Sequence, residues 1–332
     1  MTDYTIGIDL SALQIHDVVL AHAHMWRVCR QTERGWKMSL TIHAAGLAFP
    51  EGPIALADGR VLFVEMCAPA LSCMHPDGRY ERLCHIPGGP NGAAVAPDGR
   101  IAICNNGAAF TGTRHGEQWD VAYADPADYV GGSIQLVDLT TGHMTTLHTS
   151  CDGIALSAPN DLVFDRHGGL YFTDLGYVHD AQRRPGIYYI TPDFAHIRYV
   201  IAADSPNGIG LSPDGQTLYW NETPMARVMA VRLAAAGEIT GTPQCLYQFS
   251  DCMLDSLAVD SAGNVCVAVL GAGAIGVVSP SGELVDYHAT GCSGTTNICF
   301  GGADGCTAYI TLGGCGQLVS MRWPRPGLPL AW

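Results

Sequence analysis

The stretch NGIGLSPDGQTLYWN, from Asn207 to Asn221, contains the unit from which the fold is predicted. A short apolar strand follows the leading Asn207. The turn Pro213-Asp214-Gly215 comes next, where glycine supplies the positive φ that such a turn requires. A second apolar strand, ending in Leu-Tyr-Trp, completes a β-hairpin whose first strand is apolar on both faces. We therefore expect that first strand to be buried.

Five other segments align with this one, and each starts with Glu, Asn or Asp and has a glycine eight residues later. They are EGPIALADGRVLFVE from Glu51, NGAAVAPDGRIAICN from Asn91, NDLVFDRHGGLYFTD from Asn160, DSLAVDSAGNVCVAV from Asp255 and NICFGGADGCTAYIT from Asn297. A further strand-turn-strand pattern follows most of these hairpins, which gives four strands per unit. Six four-stranded units predict an all-β fold, a six-bladed β-propeller.

The spacing of the units also predicts an insertion and the closure of the ring. Leading residues lie 40 to 48 positions apart, except Asn91 and Asn160, which are 69 apart because of an insertion at about residues 108–130. The sixth unit ends after its third strand, GQLVSMRW, so Gly35–Ala45 is expected to supply the fourth. Residues 35–332 are then one propeller domain and residues 1–34 an N-terminal extension. A β-sandwich plus another domain fits less well, because the repeats span the chain.

The composition agrees with many turns and excludes several classes of function. The chain of 332 residues has 40 Gly, 19 Pro and only 14% charged residues, whereas helical proteins carry more charge on exposed faces. A formal net charge of −14 argues against nucleic acid or an anionic membrane as a partner, since both attract basic surfaces. The expected partner is a small molecule.

The 13 cysteines show no CxxC pair, and the N-terminal MTDYTIGIDL lacks the basic start of a secretory signal. We therefore expect a cytoplasmic protein whose cysteines are reduced and mostly buried.

The six leading residues are predicted to form a ring at one mouth of the propeller channel, because they occupy the same place in each repeat. Two carboxylates and four carboxamides would face one axis, and crowded carboxylates repel each other unless a cation neutralises them. Such oxygen donors suit Ca²⁺ or Mg²⁺, and the lack of histidine argues against zinc as the preferred metal. The alternative is that these side chains bond nearby backbone. Asn91 and Asn297 are expected either to be structural or to contact substrate.

Several motifs resemble the SMP-30/gluconolactonase/LRE-like family, the regucalcin-type proteins. They are PEGP from Pro50, APND from Ala158, SPNG from Ser205 followed by LSPDG, and TTNICFGG from Thr295. The resemblance covers roughly residues 46–320 and implies a six-bladed propeller, a metal-dependent lactonase with one divalent ion in the channel mouth.

Carried over by motif, the resemblance implies four metal ligands, Glu51, Asn160, Asn207 and Asp255. Ca²⁺ is the expected ion, with Mg²⁺, Mn²⁺ or Zn²⁺ as alternatives. Asp255 departs from the family pattern, because Leu254-Asp255-Ser256 stands where Pro-Asp-Gly is usual. This departure affects the shape of the loop and its substrate contacts.

The expected reaction is the hydrolysis of a lactone, in which the metal polarises the carbonyl group and water attacks it. Asp255 is the candidate catalytic base. The sequence contains no G-x-S-x-G or S-x-x-K motif for a serine nucleophile. The pair His22 and His24 is interpreted as a coincidence rather than a zinc site. Alternatives are another ester or phosphotriester hydrolase, a strictosidine-synthase-like catalyst, or a non-enzymatic calcium-binding propeller.

The insertion is a candidate lid or specificity wall, because long loops at a propeller mouth often have such roles. Arg114 lies in it, and the candidate substrate-binding residues there are His115, Trp119 and Tyr123, joined by Tyr177 and His179 from the loop after the third hairpin. The alternative is an ordinary surface excursion.

Overall fold

The computed structural model describes residues 40–330, which form six four-stranded antiparallel sheets. The predicted six-bladed β-propeller is confirmed. The predicted extension, residues 1–34, and the pair His22 and His24 lie outside the described residues. Among the residues described, no helix is both long and apolar enough to cross a membrane.

The first three blades follow the order of the sequence from the innermost strand outward. Blade 1 contains β2 (Pro50–Ala55), β3 (Val61–Glu65), β4 (Ala70–Met74) and β5 (Tyr80–His85). Blade 2 contains β6 (Pro90–Val95), β7 (Ile101–Asn105), β10 (Ser133–Val137) and β11 (Met144–His148). Blade 3 contains β14 (Pro159–Phe164), β15 (Leu170–Asp174), β16 (Gly186–Ile190) and β17 (Ile197–Ala202).

The last three blades complete the ring. Blade 4 contains β18 (Pro206–Leu211), β19 (Thr217–Glu222), β20 (Arg227–Ala235) and β21 (Glu238–Gln248). Blade 5 contains β22 (Met253–Val259), β23 (Val265–Leu270), β24 (Ala274–Val278) and β25 (Leu284–Ala289). Blade 6 contains β26 (Thr295–Gly301), β27 (Thr307–Leu312) and β28 (Gln317–Arg322), with β1 (Thr41–Ala45) as its outer strand.

Ring closure occurs as predicted, because β1 pairs antiparallel with β28 and Thr41 lies opposite Ser320. The first strand of the described chain therefore covers the edge that the last blade would otherwise expose.

The hairpin turns also match the prediction. The glycine in each of the six aligned turns has a positive φ, between 68° and 89°: Gly59, Gly99, Gly168, Gly215, Gly263 and Gly305. An aspartate in each turn accepts a backbone N–H two residues further on, as in Asp214 with Gln216 at 2.9 Å.

The apolar core lies between successive blades rather than at the axis. Ile54 and Ile103 belong to the cluster between blades 1 and 2, for example, and Tyr171 and Trp220 to the cluster between blades 3 and 4. Similar clusters join the other pairs of neighbouring blades, including blades 6 and 1. The first residues of the inner strands are therefore the ones that lie nearest the axis.

The insertion forms a separate hairpin within blade 2, between β7 and β10. Its strands are β8 (Phe110–His115) and β9 (Gln118–Tyr123), and we call it the mouth hairpin. A short two-stranded ladder, β12 (Ser150–Cys151) with β13 (Ile154–Ala155), precedes blade 3.

The expectation that all cysteines are reduced is wrong for one pair, since Cys292 and Cys315 form a disulfide. Cys292 lies in the loop before β26, and Cys315 ends a 3₁₀ helix, Gly313–Cys315, before β28. The turns of blade 6 bring these two residues together, although 23 positions separate them. The other ten cysteines described are free, and five of them, such as Cys104 and Cys266, are buried, whereas Cys245 is exposed.

Candidate active site

The six leading residues of the repeats lie at one end of the ring, where the inner strands begin. Each inner strand contacts the inner strands of both neighbouring blades, so that β2 is next to β6 and also next to β26. We call this end the mouth. All six leading residues are at most 8% exposed: Glu51, Asn91, Asn160, Asn207, Asp255 and Asn297. The structure thus brings the predicted ring together.

An irregularity in strand pairing occurs at this point in every blade. The register between the inner and second strands shifts between Pro206 and Ile209, for example, which bracket Asn207. Shifts also occur at or directly beside the leading residues of the other five blades. A bulge bends the strand and redirects its side chains. In blades 2 to 5 the leading residue falls in the unpaired gap, whereas Glu51 and Asn297 stay paired beside it.

Close approach of neighbouring inner strands depends on glycine after three of the leading residues. A Cβ atom on Gly52 would lie 2.6 Å from the carbonyl oxygen of Asn91, and one on Gly208 would lie 2.4 Å from the backbone nitrogen of Leu257. Gly92 is equally constrained, because its Cβ atom would lie 2.6 Å from the carbonyl oxygen of Asn160. These contacts leave no room for a side chain.

Side chains of the second strands hold the backbone of the ring across blade boundaries. Thr173 Oγ1 in blade 3 donates to the carbonyl oxygen of Asn207 in blade 4 at 2.6 Å. Asn221 Nδ2 in blade 4 donates to the carbonyl oxygen of Asp255 in blade 5 at 2.7 Å. Each leading residue in these two blades is therefore positioned by the preceding blade as well as by its own.

Three carboxylates converge at the mouth. Burial raises the pKa of Glu51 well above its usual range, and the charges of Asp255 and Asp161 raise it further. Burial also raises the pKa of Asp255 to about 8, with a further contribution from Asp161. The pKa of Asp161 itself rises to about 7 because of burial. Such perturbed carboxylates are typical of functional sites.

Asp161 was not among the residues predicted from the sequence. It directly follows Asn160 in the APND motif, and its Oδ1 accepts a hydrogen bond from Leu162 N at 2.8 Å. Alternation along a regular strand would send Asn160 and Asp161 to opposite faces. The register shift between Pro159 and Leu162 removes that alternation, so Asp161 lies with the ring carboxylates.

The amide side chains link the carboxylates into one polar centre. Asn297 Nδ2 donates to Glu51 Oε2 at 3.4 Å, and the Asn207 side chain hydrogen-bonds the Asp255 carboxylate. Asn160 Oδ1 is buried and has no hydrogen-bond donor. A buried oxygen without a donor is costly, and a cation is one partner that would satisfy it.

The donor set at the mouth therefore fits a hard divalent cation. Within residues 40–330, no three His, Cys, Asp or Glu side chains are grouped so as to hold a metal ion by themselves. An ion at the mouth would need the carboxamide oxygens as well as the carboxylates. Calcium accepts both kinds of oxygen, which agrees with the expected ligand chemistry.

The predicted substrate-binding residues in the mouth hairpin have different environments. His115 is exposed and lies 3.7 Å from Asp120 across the hairpin. Trp119 Nε1 donates to the carbonyl oxygen of Leu47, just before blade 1, at 2.9 Å. Tyr123 stacks on Phe110 with ring centroids 5.0 Å apart.

The two candidates from blade 3 lie at the base of the mouth hairpin. Tyr177 is 1% exposed, and its hydroxyl donates to the carbonyl oxygen of Ala124 at 2.5 Å. His179 is exposed and lies edge-on to Tyr177, with ring centroids 5.3 Å apart. The hairpin therefore contacts blade 3 at its base and blade 1 near its tip. The substrate-binding roles of the residues on and beside the hairpin remain predictions.

A six-bladed propeller with an acidic, carboxamide-rich centre at the mouth is the class of protein that these observations define. The profile described as the SMP-30/Gluconolactonase/LRE-like region matches residues 49–314, and the chain belongs to this family.

Curated relatives match part of the chain. The lactonase drp35 of Staphylococcus epidermidis is 31% identical over 205 residues, which are 58% of this chain and 54% of the relative. The same-named protein of Staphylococcus haemolyticus is 29% identical over the same shares. The chain thus spans about half the length of the curated relatives that it matches.

Solved structures share the fold. A gluconolactonase from Xanthomonas campestris is similar with a TM-score of 0.70 and 23% identity, over 88% of this chain and 91% of the other. A calcium-binding protein, regucalcin, from Agrobacterium tumefaciens is similar with a TM-score of 0.69 and 20% identity, over 88% and 98% of the two chains.

Proposed function

We propose that this protein is a lactonase, a hydrolase that opens the ester bond of a small-molecule lactone with a bound divalent cation. The observation that carries the proposal is the buried centre at the mouth, where the charges of Asp161 and Asp255 act on Glu51 and where Asn160, another leading residue, has a buried side-chain oxygen without a donor. Family membership and the lactonases among the relatives support the reaction class.

Four residues would hold the ion: Glu51, Asn160, Asn207 and Asp255. Ca²⁺ is the proposed ion, with Mg²⁺, Mn²⁺ and Zn²⁺ as alternatives, and support comes from the oxygen-only donor set and from the calcium-binding neighbour. When bound, the ion supplies Lewis-acid polarisation of the lactone carbonyl and stabilises the developing negative charge.

Asp255 is the proposed general base of the reaction. The oxygen of a water molecule adds to the lactone carbonyl carbon while an Asp255 carboxylate oxygen accepts a proton from that water. The ring C–O bond then breaks, and Asp255 returns the proton to the departing ring oxygen, which gives a hydroxy acid and regenerates the carboxylate. A bound cation lowers the basicity of a ligating carboxylate. Burial and the nearby Asp161 charge raise the pKa of Asp255 and therefore oppose that loss of basicity. Asn91 is a proposed substrate contact, together with the candidates on and beside the mouth hairpin.

A lactone panel, assayed after exhaustive chelation and again with each added divalent ion, tests this function. We expect hydrolysis only with an ion present. We also expect Glu51→Gln and Asp255→Asn to abolish it while the far-ultraviolet circular dichroism spectrum is unchanged. Full activity of both variants in chelator would disprove the proposal.

A second candidate, calcium binding without catalysis, is favoured by the neighbour described as a calcium-binding protein. It makes a different prediction in the same experiment. Calcium would bind, and Glu51→Gln would abolish that binding, yet no lactone, aryl ester or phosphotriester would be hydrolysed.

A further inference from the structure

Two of the proposed ligands follow the same unusual backbone turn. Phe49 has a φ of 57° and is followed by Pro50 and Glu51, while Ser205 has a φ of 48° and is followed by Pro206 and Asn207. A positive φ is unfavourable for residues other than glycine and persists only where surrounding contacts enforce it. In each case the turn lies two residues before the proposed ligand.

A buried glutamate holds the turn in blade 1. Glu65 ends β3, lies opposite Pro50 in the register and is 0% exposed. Its Oε2 accepts a hydrogen bond from Ala48 N at 2.8 Å, just before the positive-φ residue. Arg82 donates to the same carboxylate through Nε at 2.9 Å and Nη2 at 3.0 Å. Ser72 Oγ and the Tyr80 hydroxyl also donate to it.

Blade 4 repeats this arrangement. Glu222 ends β19, lies opposite Pro206 and is 3% exposed. Its Oε1 accepts a hydrogen bond from Asp204 N at 3.1 Å, again just before the positive-φ residue. Arg227 Nε donates to its other oxygen. Two blades far apart in sequence therefore use a buried carboxylate with an arginine partner for the same purpose.

The fold itself does not require an acid at this position. Leu270 in blade 5 and Leu312 in blade 6 are the last residues of the corresponding second strands, as Glu65 and Glu222 are of theirs. A polar residue ends the second strand in each of the four blades whose inner strand begins with proline. In blades 2 and 3 these residues are Asn105 and Asp174, which also accept loop N–H groups. Proline cannot donate a backbone hydrogen bond, so a side-chain acceptor supplies a tie to the loop before it.

We propose that Glu65 and Glu222 are positioning residues that fix the turns at Phe49 and Ser205 and so aim Glu51 and Asn207 at the divalent ion. The inference rests on the proposed function, in which those two side chains are ligands. Neither glutamate is among the proposed ligands of the ion. Residues that orient metal ligands commonly change metal affinity by about 10- to 100-fold when they are replaced.

The test is calcium affinity, measured by isothermal titration calorimetry on the metal-free full-length protein. The variants are Glu65→Leu and Glu222→Leu, which copy blades 5 and 6, and the milder Glu65→Gln and Glu222→Gln in case the leucine variants do not fold. We expect the calcium dissociation constant to rise at least about tenfold in the leucine variants and less in the glutamine variants.

Asp260→Asn is the matched control. Asp260 is 0% exposed, pairs with Arg325 Nε at 2.8 Å and accepts the backbone N–H groups of a turn, but it lies at the other end of the blade 5 inner strand. We expect Asp260→Asn to have a lower melting temperature than the unmodified protein and an unchanged calcium affinity. Saturating calcium should also restore kcat in the glutamine variants, with the activation curve shifted to higher calcium.

The outcomes separate the two proposals. If Glu51→Gln abolishes calcium binding while every folded Glu65 and Glu222 variant binds calcium within about twofold of the unmodified protein, the positioning role is wrong and the metal site stands. If Glu51→Gln binds calcium normally, the proposed metal site fails and the positioning inference fails with it.

Discussion

Asn297 Nδ2 donates a hydrogen bond to Glu51 Oε2 at 3.4 Å, although 246 positions separate these two residues. This bond joins the first and last inner strands of the propeller at its mouth. Folding of the whole ring is therefore required before the polar centre exists. The energetics of the centre are consequently coupled to the stability of the entire domain, which makes them measurable by unfolding.

The metal-free protein is expected to lose stability as the pH rises from about 4 to about 8. Burial raises the pKa of Asp161 to about 7 and that of Asp255 to about 8, and it raises the pKa of Glu51 as well. A raised folded-state pKa means that the folded protein holds protons that the unfolded chain has released. The stabilisation is full below the unfolded pKa of about 4 and is lost as the pH rises through the folded pKa.

Denaturant unfolding at several pH values in chelator measures this effect. Glu51→Gln should flatten the pH dependence and be more stable than the unmodified protein at about pH 8, because it removes a buried charge. Added calcium should flatten the pH dependence of stability only in the unmodified protein. A metal-free protein that gains stability over this pH range would contradict the argument.

The Asp161→Asn variant is expected to bind calcium with a pH midpoint shifted to lower pH. The Asp161 charge raises the pKa of both Glu51 and Asp255, and protons compete with a cation for those carboxylates. Calorimetric titrations across the pH range locate the midpoint. Asp304→Asn, which removes an exposed acid paired with Arg322, should leave it in place. An unchanged midpoint in Asp161→Asn would show that Asp161 does not act on the ring.

The fold could be predicted from the sequence because the same hairpin pattern occurs six times. Six hairpins share a turn glycine such as Gly215 and a leading polar residue such as Asn207, and a repeat that cannot bury its faces alone implies a closed stack. The fourth strand of the last blade was also predictable, since the final unit lacked one.

Other parts of the site depend on contacts that no repeat specifies. Asp161 joins the centre through a local register shift, which strand alternation would not predict. Glu65 and Glu222 occupy strand ends where two other blades have leucine. The Cys292–Cys315 pair follows no spacing rule, because the turns of blade 6 alone bring the two residues together.

The Gly208→Ala variant is expected to be destabilised by about 1–3 kcal/mol, the usual cost of overpacking. Its Cβ atom would lie 2.4 Å from Leu257 N, and backbone cannot move aside without disturbing blade 5. Gly210→Ala is the matched control on the same strand, because its nearest contact is the Leu257 Cδ1 atom at 2.8 Å, the end of a flexible side chain. Denaturant unfolding should rank Gly208→Ala as clearly less stable, and equal losses would contradict this packing argument.

The Trp119→Phe variant is expected to loosen the mouth hairpin at its tip. Phenylalanine keeps an aromatic ring but removes the N–H that donates to the Leu47 carbonyl oxygen at 2.9 Å. Arg114 lies across the hairpin from Trp119 and is exposed, so trypsin can report on the tip by cleaving after it. We expect severalfold faster cleavage at Arg114 in Trp119→Phe. Tyr123→Phe is the control, because it preserves the ring that stacks on Phe110. Equal cleavage rates in all three proteins would show that the indole hydrogen bond does not hold the hairpin against blade 1.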